Sequence, residues 1–222
     1  MNVDDVRDRV IELRATIDNV ERAWTHHVAV VGVTKGFASD AIDAAVAAGC
    51  DAIGENYAQE LIDKRTTVER LRPEVQFIGQ LQRNKVRQLV GLVDVWCSLD
   101  RAPVIDEVAK RAPGARVMVQ VDTTDDPAKG GCSVDDVAAL VDRATERGLR
   151  VEGLLTVGPT DGDSESARSG FRAVRALVDH LGLTECSMGM SGDIEVAVAE
   201  GSTQVRVGTA LFGRRPPRPT PT

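Results

Sequence analysis

Two cations stand in this sequence where it is otherwise apolar. Lys35 ends the β-branched run 28–34 (VAVVGVT), and Arg206 lies between Val205 and Val207. An amine at the mouth of a buried strand is a candidate nucleophile toward a carbonyl carbon. A guanidinium inside an apolar strand needs a partner, because an unpaired buried charge costs roughly 3–5 kcal/mol. Small residues gather nearby. Gly189, Ser191 and Gly192 precede a helix-period segment, and the free N–H groups at a helix start can hold an anion. Ser191 adds a hydroxyl and Asp193 fits a first-turn acid, although Ser before a helix also serves as a plain cap. Gly208 and Thr209 supply a second set of backbone N–H groups and a hydroxyl. A lysine, an arginine and a phosphate cradle are together what a Schiff base to a phosphorylated aldehyde cofactor requires. A lysine that merely marks a solvated loop stays open as the alternative on position alone.

Elements of the right kind exist to position these residues. Strand-like runs fall at 28–34, 51–53, 75–78, 93–99, 116–121, 151–157, 185–190 and 204–208, the second being weak. Helix-period segments lie between them at about 39–48, 56–70, 83–91, 101–111, 133–147, 164–181 and 192–200, and a helix at about 3–23 precedes everything. Each of the first seven strand candidates is followed by a helix, so the strands should run parallel with right-handed crossovers. Eight such units predict a single α/β domain, a (β/α)8 TIM barrel with an extra N-terminal helix, over residues 1–213. An open doubly wound sheet is the structural alternative, but no G-x-G-x-x-G follows the first strand. In a closed barrel the first and last strands are neighbours, which brings Lys35 beside Arg206 at the C-terminal rim. The apolar face of the first helix (Val6, Val10, Ile11, Leu13, Ile17, Val20) should pack on the barrel. Residues 214–222 (RRPPRPTPT) read as a disordered proline-rich tail.

Composition narrows the function. The chain has 222 residues, 42% hydrophobic, with net charge −7 and 3% aromatics. Nucleic acid is thus not expected as main partner, nor is a base-stacking platform. Cys50, Cys97, Cys132 and Cys186 form no C-x-x-C pair, and with only His26, His27 and His180 no zinc spacing appears. Reduced thiols in a cytoplasmic protein are expected. There is no signal-peptide pattern, and no apolar stretch approaches the ~20 residues of a membrane span. Trp24 and Trp96 read as packing residues.

Longer motifs carry a family resemblance. "VGVTKG", "AIGENYAQE", "FIGQLQRNK", "KGGC", "GLLTV" and above all "SMGMSGDIEVAVAEGSTQVRVGTALFG" resemble the YggS/PROSC-type pyridoxal phosphate homeostasis proteins, which look like the N-terminal barrel domain of alanine racemase. The resemblance implies that pyridoxal 5′-phosphate is the cofactor and that Lys35 holds it as a Schiff base. Arg206 would face the pyridine nitrogen. Ser191, Gly208 and Thr209 match phosphate-binding positions, with Met190 and Gly189 in the same loop, and Asn56 matches an asparagine near the ring's 3-oxygen. Lys129 falls on a mobile K-x-G loop of the family, and Asn84 and Lys85 on its LQxNK loop. Many relatives carry a histidine where this chain has Gln76, and Phe37 and the tail after Gly213 also depart from the pattern.

The implied function is intracellular pyridoxal phosphate homeostasis, holding the cofactor and supplying it to apo-enzymes as a monomer. Lys129 could release the cofactor by attacking in place of Lys35. An arginine at the pyridine nitrogen donates a hydrogen bond but gives up no proton readily, which restrains carbanion chemistry. Racemisation needs a second base on the other face. Tyr57 is the sole tyrosine and nothing places it there, His26 and His27 precede the first strand, His180 ends a helix, and the racemase's β-domain is not expected here. Robust catalysis is therefore not expected. A low-activity pyridoxal-dependent amino-acid racemase, a cofactor-free lysine aldolase and a pure interaction protein are the alternatives.

Overall fold

The computed structural model describes residues 1–124, 129–159 and 164–215. Its elements run α1 (Val3–Asn19), β1 (Ala29–Val33), α2 (Asp40–Ala47), β2 (Ala52–Glu55), α3 (Ala58–Asp63), α4 (Arg65–Leu71), β3 (Val75–Phe77), α5 (Arg83–Leu89), β4 (Val95–Leu99) and α6 (Ala102–Arg111). They continue with β5 (Arg116–Val121), α7 (Val137–Glu146), β6 (Arg150–Thr156), α8 (Arg168–His180), β7 (Glu185–Ser187), α9 (Ile194–Ala199), β8 (Gln204–Val207) and α10 (Thr209–Phe212). The eight strands are parallel and close into a barrel in chain order. All eight expected strands are present, and the open-sheet alternative falls with the β1–β8 pairing, in which Val31 lies opposite Arg206.

Side-chain alternation sorts the strands into an inner and an outer face. Val30, Ile53, Phe77, Trp96, Val205 and Val207 belong to the large apolar cluster shared with the helices. Their neighbours point inward, where Val95, Cys97, Met118 and Leu155 form a small cluster of their own. By the same alternation Arg206 projects into the barrel. Lys35 continues the inward parity of Val31 and Val33 just past the end of β1.

Three boundaries differ from the sequence expectation. The first helix stops at Asn19, and Val20 is already extended (ψ 123°). Val6, Val10 and Ile17 are buried as expected and Leu13 and Val20 are partly buried, but Ile11 is 59% exposed. The segment 56–70 is two helices rather than one, broken at Lys64, whose side chain turns inward to a buried carboxylate. The seventh strand ends at Ser187 rather than 190, because Gly189 adopts φ +99° and a Cβ there would lie 2.7 Å from Ala197 Cβ. The helix α10 was not anticipated. It packs on α1, which also touches α2 and α9 and so covers the seam where β8 meets β1.

The expected tail from 214 lies, apart from Arg214 and Arg215, outside the described residues. No helix among the described residues is long and apolar enough to cross a membrane.

Candidate functional site

Parallel strands put all their C-terminal ends on one rim, and the candidate residues follow four of them. Lys35 follows β1, Asn56 follows β2, Met190 and Ser191 follow β7, and Gly208 and Thr209 follow β8. Arg206 stands one layer below, within β8.

Lys35 is half-buried, and among the described residues its Nζ has no hydrogen-bond or ion-pair partner. Burial holds its pKa below the ordinary lysine value, and the positive charges of Arg215 and Arg206 push the same way. Two acids, Glu55 and Glu60, oppose them. Glu60 Oε2 also accepts a 2.7 Å bond from the Gly36 N–H and so pins the turn that carries the lysine.

The outer side of the same strand end is fixed by a buried ion pair. Lys64 Nζ donates to Glu55 Oε1 at 2.6 Å and to the Thr34 carbonyl at 2.8 Å, and Thr34 Oγ1 donates to the same Glu55 oxygen at 2.6 Å. Burial raises the Glu55 pKa, and the Lys64 ammonium works against that rise. Sequence reading passed over this network. Its one visible sign is a lysine in a helical run at a position that the fold turns inward.

Arg206 has partners, though none of them is a carboxylate. It donates to Ser187 Oγ and to the Thr156 carbonyl, both at 2.6 Å. Burial pushes its pKa down to about 10, which leaves it a cation at neutral pH. Asn56 stands at the end of β2 with its Oδ1 buried and unpartnered. An amine without a partner, an orphaned amide oxygen and a buried guanidinium thus share one rim and the layer beneath it. They suit a ligand that brings a carbonyl carbon, a hydroxyl and a hydrogen-bond acceptor.

The β7–α9 loop is organised by Asp193, which is buried and accepts a 2.5 Å bond from the Met190 N–H. Burial raises the Asp193 pKa, while that bond and the nearby Arg206 lower it. Ser191 is exposed and Met190 half-buried, and Gly208 is buried beside an exposed Thr209. Lys129 donates to the Gly158 carbonyl at 2.9 Å, and its own carbonyl accepts from Gln120. Asn84 is exposed and Lys85 half-buried at the start of α5. A cleft of about 930 Å³ opens between α1, α9 and residues 164–168; Ser191 and Asp193 line it, but Lys35 and Arg206 do not.

The remaining candidates lie elsewhere. His26 meets the Ser202 carbonyl and His27 meets Asp51, both at the N-terminal end of the barrel. His180 is exposed at the end of α8, and Tyr57 is 42% exposed. Trp96 is core, while Trp24 packs under the Arg175 guanidinium, 5.2 Å from its ring. Gln76, in the place of the family's histidine, donates to Glu74 and accepts from the Cys97 thiol. All four cysteines are free, and burial raises Cys50 and Cys132 to about 11 and Cys186 to about 12.

The sequence profile of the alanine racemase N-terminal domain family matches residues 11–216. The chain belongs to that family. Within the family it is 37% identical over 197 residues to the pyridoxal phosphate homeostasis protein of Aquifex aeolicus, covering 84% of this chain and 86% of that one. The protein of the same name from Pseudomonas aeruginosa is 32% identical over 220 residues, covering 95% and 96%. Among solved structures, PipY of Synechococcus elongatus superimposes with TM-score 0.83 without PLP, at 30% identity over 94% of this chain and all of that one. PipY with PLP bound gives 0.82 at 29% identity over the same shares. Alanine racemase of Clostridium difficile shares the fold at TM-score 0.74 and 16% identity, covering 97% of this chain and 61% of its own. The (β/α)8 domain of this alanine racemase N-terminal domain family member is therefore the same barrel seen in those structures.

Proposed function

We propose that this chain is a pyridoxal phosphate homeostasis protein: it binds pyridoxal 5′-phosphate at the rim and passes it to apo-enzymes. The observation that carries the proposal is the meeting of an unpartnered, half-buried Lys35 amine with a buried Arg206 on the adjoining strand. The names of the relatives and the PLP-bound PipY structure support it. When bound, the cofactor supplies an aldehyde that condenses reversibly with amines and a ring that withdraws electrons.

The chain's own residues have separable parts. Lys35 is the amine for the aldehyde carbon, and its lowered pKa leaves more of it neutral, hence nucleophilic, than an ordinary lysine. Glu60, through Gly36, and the Lys64–Glu55–Thr34 network fix where that amine stands. Arg206, held in place by Ser187 and Thr156, would donate toward the ring nitrogen, and as a cation it would keep its proton there. Asn56, whose Oδ1 has no partner among the described residues, would hold the ring's hydroxyl side. Met190, Ser191, Gly208 and Thr209 would receive the phosphate.

Delivery to apo-enzymes, action as a single chain and a cytoplasmic setting belong to the same proposal. The free, mostly buried thiols fit a reducing compartment. Lys129 stands on the loop beside Gly158, where a second amine could take part in release.

Borohydride reduction of the PLP-loaded protein followed by peptide mapping tests the site. The expected product is a pyridoxyl group on Lys35, absent from Lys35→Ala. A label on another lysine, or none, rejects the assignment. Chiral analysis after incubation with L-alanine or L-serine separates a carrier from a slow racemase.

A further inference from the structure

The C-terminal segment brings one more cation to the rim. Past α10 the chain returns over the end of β1, and the Arg215 side chain lies across two glycines. A Cβ on Gly36 would stand 3.1 Å from Arg215 Cδ and 3.9 Å from its Nε, and a Cβ on Gly208 would stand 3.8 Å from its Nη2. The guanidinium therefore reaches from the turn that carries Lys35 to the glycine after β8. At Gly36 the lack of a side chain makes room for the close approach, while at Gly208 the distance is an ordinary van der Waals contact.

Among the described residues no carboxylate pairs with Arg215, Glu60 is engaged by the Gly36 N–H, and Glu55 is engaged by Lys64. Lys35, Arg206 and Arg215 thus converge with no ion pair among the described residues, and Glu55 and Glu60 offset the charge at Lys35 only in part, in a molecule whose net charge is −7. Like charges brought together this way cost free energy unless an anion joins them. Gly208 and Thr209 can give that anion only N–H groups and one hydroxyl, whereas a guanidinium offers two parallel donors and a full charge.

We propose that Arg215 is a binding residue for the ligand's phosphate, closing over the Gly208–Thr209 corner from outside. The inference rests on the function proposed above and adds a residue to it, one that lies beyond α10 in a segment read from sequence as a loose tail. Arg215 selects the phosphorylated form of the ligand over the bare aldehyde, because only the former carries the dianion.

The test titrates cofactor-free wild type, Arg215→Ala and Arg215→Lys with pyridoxal 5′-phosphate and with pyridoxal, followed by visible absorbance. Inorganic phosphate is the third probe, followed by its thermal stabilisation of the protein. Arg215→Ala should bind pyridoxal 5′-phosphate roughly tenfold more weakly, with pyridoxal changed by no more than about twofold and phosphate stabilisation lost. Arg215→Lys should fall between. Unchanged binding of the phosphorylated ligand and of phosphate in Arg215→Ala overturns the inference while leaving the proposed function standing. Equal losses for both aldehydes overturn it as well, since they would show a general disturbance of the rim. A wild type that takes up neither aldehyde overturns the function and this inference with it.

Discussion

Lys35 is costly to the protein that carries it. Its ammonium is partly removed from water and faces Arg215 and Arg206, so its folded pKa lies below the ordinary value of 10.5. Between the two values the unfolded chain binds more protons than the folded one, so stability rises with pH there, and below the folded value the full cost is present. Lys35→Met should therefore stabilise the cofactor-free protein at neutral pH by roughly 0.5–2 kcal/mol, as is common when a functional residue is replaced, and so raise its urea midpoint. The gain should shrink as pH climbs toward 10.5. A midpoint that falls, or a gain independent of pH, would mean that the amine is not under this electrostatic pressure. This pressure was only half legible in the sequence. Lys35 and Arg206 stood out because each interrupts an apolar run, but Arg215 did not, because arginines in a proline-rich end have no local pattern to break.

At the scale of elements, the end of β1 is held by a helix break. Lys64 separates α3 from α4 and sends its ammonium under the strand to Glu55 and Thr34. Removing one partner of such a pair leaves a buried charge, at a cost of roughly 3–5 kcal/mol. Lys64→Ala should show that loss in chemical denaturation at about pH 8. The Glu55 pKa is already raised, so its contribution favours folding fully below the ordinary carboxylate value and is lost as pH rises through the raised one. Without Lys64 the raised value moves higher still, and the defect should be clearly smaller near pH 4.5 than near pH 8. Equal defects at both would point to lost packing instead. Helix periodicity could not reveal this break, since the partner carboxylate lies on another element. The early end of β7 was likewise hidden: Gly189 and Met190 continue an apolar run while the backbone has already turned.

For the whole molecule, the strand count and order were legible because all the runs but the second are strong and each of the first seven is followed by a helical period. Even the weak second strand, Ala52–Glu55, forms between two strong neighbours. What alternation along single strands could not show was which charges meet across the barrel. Arg206 finds Ser187 on β7 and Thr156 at the end of β6, contacts that exist only once these three strands are assembled, and Lys35 joins them only through the β1–β8 pairing that closes the cylinder. The site should therefore vanish together with the fold. In urea, loss of helical circular dichroism and loss of cofactor absorbance should coincide in one transition. Saturating cofactor should shift that transition upward, by about 2.7 kcal/mol at a hundredfold excess over Kd. Cofactor release well before the loss of helix would show a rim that opens independently of the barrel.

The pairing of β1 with β8 joins the first and the last strand of the barrel. During synthesis Lys35 leaves the ribosome before the guanidiniums of Arg206 and Arg215, which follow it by nearly the whole length of the barrel. A vitamin B6 aldehyde met by the growing chain finds only an ordinary exposed lysine. On the proposed function, loading would thus wait for the closed barrel, and the cofactor would not serve as a template for the first steps of folding.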